Sequence, residues 1–295
     1  MQIIRFRRPG VEHAEIGVRD GDRVMSLDVA DMATMLTRTL SEIRVLVATA
    51  DDTVEGAVEV LAPVDGSTEI WASGVTYLRS REGRVEESAE ASVYDRVYVA
   101  DRPELFFKSV AWRVVGDGAP IGIRADSDSD LPEPELALVI NRHEEIVGYT
   151  ICNDVTSRAI EGENPLYLPQ AKIFAGSCAI GPGVVPAWTV PDPRDLSISA
   201  TVTRGVDSAW AGSTSTAELK RELGSLVHAL TFADEFPNGA VLSTGTGLVP
   251  SLDFSLADGD VVEVTIARIG TLTNPVIRGK QAWLDANERT QEALT

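Results

Sequence analysis

Several residue types on which whole classes of protein depend are scarce in this sequence. Its 295 residues include only two cysteines and three histidines. Cys152 and Cys178 stand in apolar surroundings without metal-ligand spacing, so neither a disulfide framework nor a cysteine-based metal site is expected. Reduced thiols are the ordinary state of such cysteines in the cytoplasm, which is the expected location.

Positive charge is equally scarce. Lysine and arginine total 26 against 45 aspartates and glutamates, which leaves a formal net charge of −19. A surface of this kind repels phosphate backbones, and nucleic acid is therefore not expected as a partner. An anionic substrate would need local positive charge, either from arginines or from a bound metal ion.

Long apolar segments are missing as well. The sequence has no run of about 18 apolar residues, so no membrane-spanning helix and no membrane partner are expected. Residues 1–6 alternate as a strand does, and they lack the charged and then apolar layout of a signal peptide.

The composition that is present suits a globular protein, because 44% of the residues are hydrophobic and 24% are charged. The length allows a small domain joined to a larger one. Residues 1–62 predict a small αβ domain with three strands and one helix over 32–48. The proline- and glycine-containing segment 63–67 predicts a linker, and residues 68–290 form the expected larger domain.

Short β-type runs dominate the larger domain, and glycine, proline and aspartate separate them. The clearest runs cover residues 69–73, 136–140, 146–152, 196–202 and 261–266. Helical spacing is confined mainly to residues 81–92, 155–160 and 217–232. Many short strands with few helices predict a β-rich α+β fold, a sandwich or roll, and not a parallel βαβ array.

The most informative residues are acidic. Glu133 and Glu135 are two apart at the start of a strongly apolar strand, so their side chains project from the same face. Asp154 ends the next strand, and hairpin geometry can return it beside the two glutamates. Three carboxylates at neighbouring strand ends suit a hard cation such as Mg²⁺ or Mn²⁺.

A plainer interpretation of the same residues stays open at this point. Asp154 can simply cap a helix that begins at Val155, and the two glutamates can line a solvated edge of the sheet. Paired acidic residues are common, and spacing alone does not decide between the two interpretations.

From about Trp71 to Arg278 the chain resembles the catalytic domain of the fumarylacetoacetate hydrolase superfamily. Seven pieces carry the resemblance in the family's order: Pro103–Lys108, Glu133–Leu136, Gly148–Arg158, Lys172, Ile180–Pro182, Ser243–Thr246 and Gly270–Val276. The resemblance implies the family's β-sandwich or roll and a homodimer or homotetramer. It also implies metal ligation by Glu133, Glu135 and Asp154, with Mg²⁺ expected and Mn²⁺ or Ca²⁺ as alternatives.

The same resemblance implies further site residues. Lys172 matches the family's active-site lysine, and the loop containing Ser243, Thr244 and Thr246 matches a segment near the substrate. In the hydrolases of the family a histidine activates water, but Ser80 stands at the matching position. The chain's histidines lie elsewhere, at His13, His143 and His228, and histidine-driven hydrolysis is therefore not expected.

One branch of the superfamily is especially similar. Residues 157–172, together with 74–77 and 102–108, closely resemble the 2-keto-3-deoxy-D-arabinonate dehydratases, whose substrate is also called 2-keto-3-deoxy-D-xylonate. This implies metal-dependent loss of water to give 2,5-dioxopentanoate, or α-ketoglutarate semialdehyde, in non-phosphorylative pentose oxidation. Ala159 departs from the pattern, because an aspartate is expected there.

Proton transfer in such a dehydration needs an acceptor and a donor. Lys172 is expected to act as the base if burial beside the cation lowers its pKa, or else to hold a substrate oxygen. Glu104 is the other acid/base candidate, although a lid carboxylate is the plainer interpretation. Arg79 and Arg81 are candidates for neutralising substrate charge, or are solvated arginines of a lid helix.

Two other functions remain open on the sequence. The first is an acylpyruvate hydrolase or oxaloacetate decarboxylase, which would share the metal site and differ in its proton chemistry. The second is a catalytically silent binding protein with the same fold, which Ala159 favours. Semialdehyde release would identify the dehydratase, and pyruvate release would favour the first alternative.

Overall fold

A computed structural model describes residues 1–87 and 91–292 of the chain. The strands are β1 Gln2–Arg7, β2 Glu15–Asp20, β3 Arg23–Ser26, β4 Asp52–Thr53, β5 Glu59–Leu61, β6 Glu69–Ala72, β7 Phe106–Val110, β8 Ile121–Ile123, β9 Asp130–Leu131, β10 Pro134–Ile140, β11 Ile146–Asp154, β12 Thr156–Ser157, β13 Cys178–Pro186, β14 Ser197–Arg204, β15 Asp207–Ser215, β16 Ala240–Ser243, β17 Val261–Ile266 and β18 Gly270–Arg278. The α-helices are α1 Met32–Met35, α2 Leu40–Ala48, α3 Leu78–Glu87, α4 Ala91–Val99, α5 Arg158–Glu163, α6 Leu168–Lys172, α7 Leu223–Thr231 and α8 Lys280–Glu292.

Two sheets contain all of the strands given above except β9 and β12, which pair with each other. The first has the order β4-β3-β2-β1-β13-β11-β10-β16-β6-β7, with β5 also paired to β1, and the second has the order β15-β14-β17-β18-β8. Leu136 and Ile151 of the first sheet share one hydrophobic core with Ile198 and Val264 of the second. The expected β-rich α+β fold is confirmed.

The N-terminal strands are continuous with this architecture. Ile3 of β1 pairs with Val184 of β13, so the strands of residues 1–62 extend the same sheet that carries the acidic strands. The apolar residues Ile3, Ile4 and Phe6 of β1 are all buried, whereas its polar residues are only partly buried. The division into domains 1–62 and 68–290 stays a prediction.

Capping residues changed the expected helix boundaries. The single helix over 32–48 was wrong, because Thr39 begins a new helix: its side chain accepts a hydrogen bond from the backbone of Glu42, whose carboxylate bonds back to Thr39. The helix expected over 217–232 is likewise a short 3₁₀ turn followed by α7. The helix over 81–92 begins earlier, at Leu78, and its residues 88–90 lie outside the described part of the chain.

The strands of the first sheet position the acidic residues. Every residue of β10 is buried, and β11 is buried from its second residue onward. Helices α3, α5 and α6 surround the end of this strand pair at which Glu135 and Asp154 lie. No helix within residues 1–87 and 91–292 is long and apolar enough to cross a membrane.

Candidate active site

Antiparallel pairing of β10 with β11 gathers three carboxylates at one strand end. Glu135 pairs with Cys152, and the backbone N–H of Asp154 donates to the carbonyl of Glu133 at 3.0 Å. One carboxylate oxygen from each of Glu133, Glu135 and Asp154 lies within 4.8 Å of the others. The side chains are therefore brought together as the hairpin geometry predicted.

The plainer interpretation of these residues is contradicted. Glu133, Glu135 and Asp154 have exposures of only 6%, 2% and 1%, so they do not form a solvated edge. Asp154 does not cap a helix at Val155 either. The helix begins later because the hydroxyl of Ser157 caps it, accepting from the backbone N–H of Ile160.

Hydrogen bonds from β16 and from the loop after it orient the carboxylate of Glu135. The hydroxyl of Ser243 donates to its Oε2 at 2.5 Å, and the backbone N–H of Gly245 donates to the same oxygen at 2.7 Å. Burial, and next the charge of Asp154, raise the pKa of Glu135 well above its ordinary value. The ionised carboxylate is therefore costly unless positive charge stands beside it.

Of the predicted substrate-binding residues Ser243, Thr244 and Thr246, only Thr246 is among the residues that line the described pocket. Ser243 is committed to Glu135, and the hydroxyl of Thr244 donates to the carbonyl of Leu136 at 2.8 Å. Thr246 lines the pocket, with its hydroxyl accepting from the backbone N–H of Leu248 at 3.0 Å. The substrate-binding roles of these three residues stay predictions.

Lys172, the last residue of α6, reaches into the carboxylate cluster. Its Nζ donates to Glu133 Oε2 at 2.5 Å and to Asp154 Oδ2 at 3.0 Å. Burial alone would lower the pKa of Lys172, but the combined charges of Asp154, Glu133 and Glu161 raise it above its ordinary value. These carboxylates favour the ammonium form of Lys172, and its role as the base or as a holder of a substrate oxygen stays a prediction.

A second buried lysine, Lys108, lies behind the first and was not among the predicted site residues. Its Nζ donates to the carbonyls of Val155, at 3.0 Å, and Lys172, at 2.5 Å, and forms an ion pair with Asp154. The available signal was a lone lysine inside the apolar strand β7, in a chain with four lysines in all. A lysine in such a position needs an anionic partner.

Glu104 is brought to the same pocket by the loop before β7. A β-carbon at Gly74 would lie 2.3 Å from Glu104 Oε2, so the glycine leaves room for the Glu104 carboxylate in this position. Val75 lies beside it with φ of +53°, a strained conformation for a β-branched residue. Burial raises the pKa of Glu104, which suits an acid/base group.

Helix α3 presents a different arginine to the pocket from those predicted. Arg79 forms ion pairs with Glu82 and Glu86, and Arg81 pairs with Asp95. Among the described residues, neither arginine lines the pocket, so their substrate roles stay predictions without structural support.

Arg84 of α3 does line the pocket, and so does Glu161 of α5. Sequence reasoning missed both. Arg84 lies four residues after Ser80, on the same face of the helix, which is the signal that was available. Ala159, where an aspartate was expected, does not line the described pocket. Glu161 of the same helix does, and it supplies a carboxylate there.

Formal charge around the pocket is unbalanced. Its described residues include the carboxylates Glu104, Glu133, Glu135, Asp154 and Glu161, and the cations Arg84, Lys172 and, behind the pocket, Lys108. The negative charges exceed the positive by two. The three clustered carboxylates offer only oxygen ligands, which hard divalent cations prefer, and one such ion would balance the charge. The residues present therefore fit a divalent metal ion.

Comparison with known proteins identifies the family of this chain and several similar enzymes. Residues 69–277 match the model of the fumarylacetoacetate (FAA) hydrolase C-terminal family. A probable 2-keto-3-deoxyxylonate dehydratase of Haloferax volcanii is 51% identical over 72% of this chain and 73% of its own. A 2-dehydro-3-deoxy-D-arabinonate dehydratase of Saccharolobus solfataricus is 42% identical over 74% of both chains.

Solved structures give the same picture over nearly the whole chain. Two structures of 2-keto-3-deoxy-arabinonate dehydratase superpose with TM-scores of 0.84 and 0.83, at 36% and 35% identity. Each covers 95% of this chain and 100% of the other. The second of these proteins was solved in complex with magnesium and 2,5-dioxopentanoate.

Proposed function

This chain belongs to the fumarylacetoacetate hydrolase family, and from that membership and its pocket we propose that it is a Mg²⁺-dependent dehydratase. The proposed reaction converts a 2-keto-3-deoxy-D-pentonate, the arabinonate or xylonate derivative, into 2,5-dioxopentanoate and water. The observation that carries it is the buried cluster of Glu133, Glu135 and Asp154, with Glu104 and Lys172 in the same pocket. The dehydratases at 51% and 42% identity support the substrate class.

Glu133, Glu135 and Asp154 are the proposed ligands. A bound Mg²⁺ supplies Lewis-acid polarisation of the oxygens of a 2-keto acid, and Mn²⁺ or Ca²⁺ accept the same type of ligand. Ser243 and the backbone of Gly245 keep Glu135 oriented, and Lys108 does the same for Asp154.

The residues of the chain carry the protons. Glu104, as a carboxylate, accepts the proton from C3, and the Lys172 ammonium donates a proton to the hydroxyl that leaves C4 as water. The C3–H and C4–O bonds break and a C3–C4 double bond forms. A second proton then moves from C5 to C3, which leaves a C4–C5 enol. The enol loses its hydroxyl proton while C4 gains one, and this gives the C5 aldehyde, so one water is lost in all.

Hydrolysis of an acylpyruvate and decarboxylation of oxaloacetate remain the second candidates. Ser80 stands where the hydrolases of the family have a histidine. Its hydroxyl donates to the carbonyl of Tyr77 at 2.8 Å and accepts from the backbone N–H of the same residue at 3.1 Å. A hydroxyl engaged in this way is a poor substitute for a histidine base, which favours dehydration.

The finer properties expected from the family belong to the same proposal. We propose a homodimer or homotetramer in the cytoplasm. The buried thiols of Cys152 and Cys178 are unpaired, which is compatible with a reducing compartment. Sedimentation of the purified protein would test the assembly.

The deciding experiment supplies purified protein with 2-keto-3-deoxy-D-pentonate and Mg²⁺, with and without EDTA, and follows 2,5-dioxopentanoate directly. We expect product only where Mg²⁺ is available, because the carboxylate cluster cannot hold the keto acid without a cation. Pyruvate release from acylpyruvates or oxaloacetate, with no semialdehyde from the pentonate, would favour the second candidates. Metal binding without turnover of any of these substrates would favour the silent binding protein.

Replacing Glu104 with glutamine is expected to lower kcat by about 10² to 10⁴-fold, the usual contribution of a general base. The pKa of Glu104 is raised, and a base acts when deprotonated. Activity of the unmodified enzyme is therefore expected to rise with pH through that raised pKa, and the Glu104→Gln variant is expected to lose this ascending limb. Profiles of log kcat against pH measure both effects.

The matched control for Glu104→Gln is Mg²⁺ affinity, measured by calorimetry without substrate. It should change little, because Glu104 is not one of the clustered ligands. An ascending limb that persists unchanged in the variant would assign the base to another group.

A further inference from the structure

Arg84 joins helix α3 to a clustered carboxylate. Its guanidinium donates to Glu133 Oε1 at 2.7 Å, while Lys172 occupies the other oxygen of that carboxylate. The second guanidinium nitrogen lies 2.6 Å from Glu161 Oε2 on helix α5. Arg84 therefore connects two helices of the pocket wall with a proposed metal ligand.

The three linked charges of Glu133, Arg84 and Glu161 are largely buried, so they interact strongly with one another. The side chains of Arg84, Glu133 and Glu161 are only 13%, 8% and 5% exposed. Solvent screens them weakly, and a buried charge that loses its partner strongly perturbs its neighbours. Arg79 and Glu86 of the same helix are 38% and 51% exposed, so their ion pair is a natural surface comparison.

Close packing fixes the position of α3 next to Arg84. A β-carbon at Gly83 would lie 2.8 Å from Val249 Cγ1, so only glycine lets the helix approach the loop after β16 this closely. The Arg84–Glu161 ion pair joins the same helical turn to α5. This turn of α3 is thus fixed against both the loop after β16 and α5.

We propose that Arg84 and Glu161 are positioning residues that act through Glu133, a role that rests on the proposed metal-dependent function. Arg84 orients Glu133 and seats α3 over the pocket. Glu161 balances the charge of Arg84, so that the guanidinium does not weaken the hold of the carboxylates on a divalent cation. Neither residue needs to touch substrate for this role.

Binding of Mn²⁺ alone, followed by calorimetry without substrate, tests the charge relation. Glu161→Gln is expected to weaken Mn²⁺ binding about tenfold, the scale typical of losing a residue that supports a metal ligand, because the charge of Arg84 is left unbalanced beside Glu133. Arg84→Met alone should not weaken it, because removing a cation that competes for Glu133 offsets the loss of the hydrogen bond that orients this carboxylate. The double variant should return to within about threefold of the unmodified protein, since both members of the pair are removed together.

Measurements of turnover distinguish the positioning of α3 from the effect of charge on metal affinity. In the double variant KM is expected to rise about tenfold. The metal affinity has returned, but the ion pair that fixes α3 against α5 is missing. Arg84→Lys keeps the positive charge and should keep Mn²⁺ affinity within about threefold, while its single ammonium cannot make both contacts and KM rises. Glu86→Gln on the same helix should change neither quantity.

A general folding defect would weaken Mn²⁺ binding in every variant, with additive losses in the double variant. That pattern, or unchanged Mn²⁺ binding in Glu161→Gln, would overturn the proposal. The result is distinguishable from failure of the proposed function, because Mn²⁺ binding is measured without substrate. A protein with these metal-binding shifts and no dehydratase turnover would refute the reaction alone.

Discussion

Replacing Lys172 with methionine is expected to lower kcat by about 10³-fold or more, because the variant has no proton donor for the departing hydroxyl. The same change leaves Glu133 and Asp154 without their buried partner. Removing one member of a buried ion pair costs about 3 to 5 kcal/mol of unfolding free energy. Denaturant unfolding in EDTA should show this loss, and added Mg²⁺ should recover part of it by neutralising the same carboxylates.

Lys108→Met is the matched control for this prediction. Lys108 shares the partner Asp154 and is fully buried, but it does not line the described pocket. We expect a comparable loss of unfolding free energy and a much smaller loss of kcat, about tenfold through disturbance of Asp154. Retention of more than a tenth of kcat by Lys172→Met would exclude Lys172 as the proton donor.

Replacing Glu135 with glutamine should have opposite effects on function and on stability. Mg²⁺ affinity is expected to fall by ~100-fold or more with the loss of a ligand charge, and turnover should be abolished at ordinary Mg²⁺ concentrations. In EDTA, however, the melting temperature should rise by about 2 °C or more. Titrations of Mg²⁺ and thermal melts with and without EDTA measure the two effects.

The sign of the stability change follows from the raised pKa of Glu135. A carboxyl whose pKa is raised by folding destabilises the native state once the pH exceeds the unfolded-state value, so at neutral pH the charge is a cost. Neutral glutamine removes that cost. Glu263→Gln, an exposed change on β17, should alter neither quantity. A lower melting temperature for Glu135→Gln in EDTA would contradict this account.

Much of the fold followed from local pattern. Strand alternation has a period of two, and the acidic strand β10 and its neighbour β11 were visible from their own residues. The two-residue spacing of Glu133 and Glu135 put both on one face, and a simple hairpin returned Asp154 to them. The family resemblance rested on seven ordered pieces, and residues 74–77, 102–108 and 157–172 extended it to the reaction.

The residues that cap the helices were harder to predict from the sequence. Thr39 interrupts a run of apolar residues that has helical spacing throughout, and Ser157, not Asp154, begins α5. Each outcome depends on which side chain finds the free N–H groups of a helix end. Competing caps a few residues apart look alike in sequence, and the surrounding contacts decide between them.

The identity of the three clustered carboxylates was thus available from the sequence, whereas the electrostatics around them depended on the tertiary structure. Arg79, Arg81 and Arg84 lie within two turns of one helix, and only its packing against α5 and Val249 turns Arg84 inward. The pKa of Lys172 is raised because carboxylates from β11, from the residue just before β10 and from α5 surround its ammonium group. Coulombic interactions depend on distances through space, and those distances exist only once separate elements have packed together.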